Sequence, residues 1–228
     1  KVSGTNASPN WSSVSGFDIL HDTPHSAYML DNLTIGADGE RRRSNMADGM
    51  HPINTSFGAE MSFDLGDDWK IENRFRQNFI KGRFESLFPA EISTGGALAS
   101  AFGVANLTYA NGPSAGGNFS NNALAMRIHT FDTEINNFNN FTNDMKLSKK
   151  FGDVDVTFGY YRAFQNINMS WLWNSYLMEV KGDNAALLNA GSATSNGLYA
   201  YGVPLWGNCC TRNYDANYDI TAPYAAVQ

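Results

Sequence analysis

His21 and His25 stand four residues apart with Asp18 and Asp22 beside them. On a helix that spacing puts two imidazoles on one face, where they could ligate a transition metal. Thr23-Pro24 lies between them, and proline removes a helical N–H and clashes with the preceding turn, so no metal site is expected. Asp64, Asp67 and Asp68 offer the oxygens of a calcium loop, but the alternating ligand pattern with a following glutamate is missing and a polar turn accounts for them. The glycine-rich stretches lack a Lys-Ser/Thr ending and do not join a strand to a helix, which argues against a phosphate cradle. The only cysteines are the vicinal pair Cys209-Cys210. None of His21, His25, His51 and His129 is near them in sequence, so zinc is not expected, while a vicinal disulfide and a pair of thiols both stay open. No Ser-His-Asp or paired-carboxylate arrangement stands out. The chain reads as a non-enzyme with no catalytic residue and no cofactor.

The elements that must hold these residues announce themselves by a period of two. Phe57, Ala59, Met61, Phe63 and Leu65 alternate with Gly58, Glu60, Ser62 and Asp64; after Gly66-Asp67-Asp68, Trp69, Ile71 and Phe75 alternate with Lys70, Glu72, Arg74 and Arg76. The pattern returns at Phe141, Met145, Leu147 and Phe151, turns at Gly152-Asp153, and continues through Val154, Val156, Phe158, Tyr160 and Phe164. Such alternation puts the apolar side chains of a strand on one face and the charges on the other. Phe63, Trp69, Phe151 and Phe158 fall near the turn ends, where a bilayer interface would hold an aromatic girdle. An ordinary antiparallel sandwich alternates in the same way, and arm length and aromatic placement favour the membrane reading.

Composition narrows the partners. A net charge of -6 argues against nucleic acid, which needs clustered Lys and Arg. The one basic run, Arg41-Arg42-Arg43, sits beside Asp38 and Glu40 and reads as a solvated loop. No window approaches the ~18 uninterrupted apolar residues of a membrane-crossing helix. Transmembrane strands need only ~9–11 alternating residues.

These signals predict an all-β fold: an antiparallel transmembrane β-barrel segment of about four long strands, with short periplasmic turns and long extracellular loops. Residues 1–54 read as loop with a short extended piece at Ala27-Tyr28-Met29-Leu30, 55–85 as the first hairpin, 86–138 as a long loop, 139–168 as the second hairpin and 169–228 as another long loop. Leu124 to His129 is a short strand or one helical turn, and a short helix is expected near Ser175 to Leu188. The end, Thr221 to Gln228, is expected to carry no strand, and the chain reads as a piece of something longer. Four strands cannot close a barrel, which takes at least about eight.

Several stretches resemble the barrel region of bacterial TonB-dependent outer-membrane receptors. They are Gly16-Phe17-Asp18-Ile19-Leu20-His21-Asp22-Thr23, Ala47-Asp48-Gly49-Met50-His51-Pro52, Phe63-Asp64-Leu65-Gly66-Asp67-Asp68-Trp69, Gly82-Arg83-Phe84 with Phe88-Pro89-Ala90, Trp173 to Val180, and Tyr201 to Asn208. The family's N-terminal coupling box, plug domain and terminal aromatic strand are not found. The resemblance implies an outer-membrane location, contact with lipid, and coupling to the TonB complex through parts the chain lacks. It also implies import of a scarce small molecule such as a siderophore, a cobalamin or an oligosaccharide. On this reading the long loops make the ligand contacts, and Trp171, Trp173, Tyr199, Tyr201 and Trp206 could stack on a sugar or aromatic ligand. The alternative is that these rings only pack the loops together. A secreted carbohydrate-binding β-domain and a surface assembly protein that pairs strand edges are the competing functions.

Overall fold

The computed structural model describes residues 2–228. Its strands are β1 (Val2–Thr5), β2 (Ser8–Trp11), β3 (Asp31–Ile35), β4 (Arg41–Asn45), β5 (Met50–Gly66), β6 (Trp69–Thr94), β7 (Thr108–Tyr109), β8 (Leu124–Asn137), β9 (Asn140–Phe151), β10 (Val154–Glu179), β11 (Leu188–Asn189), β12 (Leu198–Tyr201) and β13 (Arg212–Val227). One short helix, α1 (Gly95–Ala101), follows β6, and the Thr94 hydroxyl caps it by accepting the Ala97 N–H at 3.3 Å. The fold is all-β and antiparallel.

The two short turns set the pairing. β5 passes to β6 through Asp67-Asp68 alone, both at positive φ (50° and 61°), the combination required by a two-residue type I′ loop. β9 passes to β10 through Gly152-Asp153, with positive φ (63°) at the glycine only, as in a type II′ loop. The resulting registers are long: Trp69 lies opposite Lys149 and Asn78 opposite Asn140, while Val154 lies opposite Phe151 and Gln165 opposite Asn140. Only Phe138-Asn139 separates β8 from β9, and both strands neighbour β6 and β10. The break is stitched by side chains: Asn139 accepts the Ile80 N–H at 2.9 Å, and Gln165 donates to the Phe138 carbonyl at 3.2 Å.

The chain divides into two compact units. The second, His51–Arg83, Thr133–Ser170 and Asn213–Gln228, is a sheet in which β5, β6, β9, β10 and β13 contribute neighbouring strand segments. Its apolar residues are exposed: Phe57 is 57% accessible, Phe63 58%, Phe151 56% and Phe158 56%. They touch one another across strands, with Phe75 set 5.8 Å from Phe57 and 5.4 Å from Phe141. Charged pairs also cross the strands, including Arg74 with Glu60 at 2.9 Å and Arg162 with Asp219. Tyr224 passes over Gly159, where a Cβ would collide with its ring, and donates to Asp144 at 2.7 Å.

The first unit takes in the residues up to Met50, Phe84–Asp132 and Trp171–Arg212, and it has a conventional interior. Met29, Met46, Leu87, Met126, Ile128, Tyr176 and Met178 form one buried cluster, and Leu98, Leu107, Phe119, Leu177 and Leu188 another.

Several expected boundaries are corrected. Residues 1–54 hold two hairpins, β1–β2 and β3–β4, and strand begins at Asp31 instead of at Ala27. The loop expected over 86–138 is strand at both ends, in β6 to Thr94 and in β8 from Leu124. Pro89 lies in β6 beyond the Glu85 N–H bond to Gly49, the residue just before β5 begins. No helix forms over 175–188. β10 continues to Glu179, and Tyr176-Leu177-Met178 is a continuous apolar run because both faces are buried there. The loop expected over 169–228 also contains β13, a further long strand that pairs with β10 where none was anticipated. Its Pro223 fits a strand bonded along one side only.

Candidate functional site

The hairpin β3–β4 in the first unit has two different faces because of its register, which sets Asn32 opposite Ser44, Leu33 opposite Arg43 and Ile35 opposite Arg41. Asn32, Thr34 and Ser44 are buried, whereas Asp31, Arg41 and Arg43 on the alternate positions are exposed. Beyond the turn, Asp38 accepts the Glu40 N–H at 3.1 Å and pairs with Arg42 at 2.8 Å, and both contacts hold its carboxyl below the ordinary carboxylate range. The run of three arginines is thereby divided: Arg42 belongs to the turn, and Arg41 and Arg43 share the other face.

The buried face rests on two carboxyl groups. Glu85 Oε2 accepts from Asn32 Nδ2 at 3.1 Å and from the Ser44 hydroxyl at 2.8 Å. The Thr34 hydroxyl reaches Asp132 at 3.5 Å, and Asn32 Oδ1 accepts from the Thr130 hydroxyl at 2.7 Å and from Asn174 at 3.3 Å. Burial pushes the Glu85 carboxyl well above its usual range, and the hydrogen bond and charge of Asp132 push it the same way. One further bond locks the hairpin from β10. The buried Tyr176 hydroxyl accepts the Leu33 N–H at 2.9 Å, and burial raises this phenol to about 12.

The exposed face lines a cleft of about 540 Å³, within the usual size of small-molecule sites. Asp31, Leu33, Arg41 and Arg43 form one wall, and the segment Ser192 to Asn196 with Tyr199 and Tyr201 of β12 forms the other, Tyr176 also bordering the space. Arg43 lies 3.6 Å from Asp31, and Arg41 has no ion pair among the described residues.

An aromatic cluster also belongs to this unit. Trp171 and Trp173, two residues apart on β10, stack with centroids 6.1 Å apart and planes 9° apart. Phe131 meets Trp173 at 5.2 Å, and Trp206 meets Trp173 edge to face at 6.0 Å. Arg212 caps Trp171 at 5.3 Å. His129 beside them is fully buried, with Nδ1 2.8 Å from the Ser175 hydroxyl, which in turn donates to the Gly202 carbonyl at 2.6 Å. The serine proton is thus committed, which assigns the ring hydrogen to Nδ1. Burial first, then the charge of Arg127, holds this imidazole down to about 4, so it is neutral at pH 7.

The five aromatic residues singled out in the sequence therefore separate into two groups. Trp171, Trp173 and Trp206 come together in the cluster, with Trp171 and Trp173 on a strand where a loop was expected. Tyr199 and Tyr201 reach the cleft, and Tyr199 also meets Phe102 at 5.3 Å. The cleft residues that sequence reading passed over are Asp31, Arg41, Arg43 and Tyr176. The signal was available in the arginine run itself: in a strand, its first and third members share a face.

Cys209 and Cys210 form a vicinal disulfide. His21 bonds Asp18 at 2.8 Å while His25 lines a different hollow, and among the described residues no cluster of three metal-ligating side chains occurs. Among the described residues no helix is long and apolar enough to cross a membrane, which says nothing of crossing by strands. Comparison with family models, curated proteins and solved structures finds no match to this chain.

Proposed function

We propose that the chain is part of the β-barrel wall of an outer-membrane receptor of the TonB-dependent type, which binds a scarce small molecule and imports it with inner-membrane energy. The observation that carries this reading is the exposed apolar surface of the second unit. Phe57, Met61, Phe63, Leu65, Met145, Phe151, Phe158 and Tyr160 all lie open on a sheet whose neighbouring strands carry ion pairs. A patch of that kind on a water-soluble monomer favours association, whereas in a bilayer lipid chains fill it. The strand segments are also long enough: β5 alone has 17 residues, against the ~9–11 that a tilted strand needs to cross. At the turn end Lys149 lies over Trp69 at 4.8 Å and over Phe151 at 5.2 Å, a grouping suited to an interface.

In this reading the alternating segments of the second unit cross the lipid, and the cleft of the first unit receives the ligand. The competing carbohydrate-binding β-domain would need the Phe57 to Leu65 face buried as a core, and that face is exposed. Coupling to TonB falls to other parts of the receptor.

Co-flotation of the refolded chain with phospholipid vesicles tests the proposal. The wild-type chain is expected to float with lipid. Met61→Arg, between Phe57 and the turn-end aromatics, is expected to move it toward the aqueous fraction, since a cation facing lipid near the midplane costs about 2–4 kcal/mol. Arginine at Ser62, on the polar face, is expected to leave flotation unchanged. A wild-type chain that stays monomeric in the aqueous fraction would overturn the reading.

A further inference from the structure

The sequence leaves Arg41-Arg42-Arg43 as a charge run without a task, and the structure gives its members different surroundings. Arg42 is occupied by Asp38 at 2.8 Å. Arg43 has only a loose contact with Asp31, at 3.6 Å, and Arg41 makes no salt bridge among the described residues. Both face the cleft of about 540 Å³. A chain of net charge -6 repels anions in general, so two guanidiniums with one opposing carboxylate reverse that tendency locally.

The facing wall has a different character. Ser192, Ser195 and Asn196 offer hydroxyl and amide groups, the Thr194 hydroxyl being taken up by the Ala190 N–H and Asn189 Oδ1, and Tyr201 adds a phenol ring that is 38% exposed. Short polar side chains of this kind pair with ligand hydroxyls in either direction, as donor or acceptor. The ring supplies a flat apolar surface for a C–H face. The hairpin that carries the arginines is fixed from behind by Tyr176 to Leu33 at 2.9 Å and by the Glu85 bonds to Asn32 and Ser44. The two guanidiniums are therefore presented from an anchored strand, which reduces the ordering cost of binding.

We propose that this cleft binds a polyhydroxylated ligand bearing an oxyanion, with the oxyanion held between Arg41 and Arg43 and the hydroxylated body lying along the Ser192 to Asn196 wall and Tyr201. The inference rests on the reading of the chain as a ligand-binding receptor wall and narrows the class of ligand. Arginine suits the oxyanion because its planar fork matches a carboxylate or phosphate in two parallel hydrogen bonds. A neutral sugar uses only the hydroxyl wall, and a free anion only the arginines.

Isothermal calorimetry on the full chain in detergent micelles tests this with three probes: trigalacturonate, its fully methyl-esterified form, and inorganic phosphate. Trigalacturonate is expected to bind at least about tenfold more tightly than the ester, the scale of one charge-assisted pair, and to weaken as salt rises. Arg41→Gln and Arg43→Gln are each expected to remove that advantage while leaving ester binding unchanged. Both positions are exposed, and matching circular dichroism checks that the variants fold. Equal binding of trigalacturonate and ester, or arginine variants that bind like wild type, would overturn the oxyanion assignment while leaving a ligand-binding cleft. Phosphate binding as tight as trigalacturonate would overturn the role of the hydroxylated body. Absence of binding by every probe would overturn the proposal, whereas failure of the receptor reading shows separately, as failure to float with lipid.

Discussion

Glu85 shows how a single residue's environment sets the behaviour of the hairpin above it. It is 1% exposed, beside Asp132, and accepts hydrogen bonds from two hairpin side chains. Burial favours the protonated form, and the neighbouring carboxyl group acts in the same direction. A carboxyl whose value is raised on folding, here from 4.5 to about 8, stabilises the docked state fully below the unfolded value and loses that contribution as pH rises through the folded one. Hydrogen-exchange protection of the Asn32 to Thr34 amides is accordingly expected to fall between pH 5 and pH 9. Glu85→Gln keeps an acceptor for Asn32 and Ser44 and removes the titration, so its protection should vary much less over that range; an unchanged pH profile would contradict the account. Tyr176→Phe probes the same hairpin without a charge. It strands the Leu33 N–H, a loss of about 1–3 kcal/mol that urea unfolding should register.

At the scale of elements, close approach and register decide what the sheet tolerates. Gly159 on β10 leaves the space through which Tyr224 of β13 reaches Asp144 of β9. Gly159→Val is expected to expel that ring and raise exchange of the β13 amides, while the β9–β10 amides hold their protection; equal loosening of all three strands would contradict the account. Pattern made part of this layout legible. The arms flanking Asp67-Asp68 and Gly152-Asp153 are strands because their alternation is strict and their turn residues match the required φ values. The continuations were illegible for a physical reason: where β8 and β10 run through the first unit, both faces are covered, so Tyr176-Leu177-Met178 and Leu124 to His129 lose the period of two. β13 was hidden by Pro223 and by small residues near its end, which an outermost strand accommodates. In the site, Tyr199 and Tyr201 were found by type alone. Arg41 and Arg43 were missed because their strand carries three like charges in a row and shows no alternation of polarity.

For the whole molecule the central claim is that the second unit is a lipid-facing wall. The sheet is bordered by β5 and β13, and edges of that length pair with further strands unless something covers them. A barrel supplies that cover by closure. The first unit has a buried core and an anchored hairpin, and it carries the disulfide Cys209–Cys210. The most direct measurement is a cysteine scan from Phe57 to Leu65 in lipid vesicles, read by labelling with a water-soluble maleimide under non-reducing conditions. The account predicts a period of two: Phe57, Ala59, Met61, Phe63 and Leu65 protected by lipid, with Glu60, Ser62 and Asp64 labelled; Gly58 is left out because a Cβ there would meet the Phe75 carbonyl at 2.6 Å. Uniform labelling along the strand would contradict it.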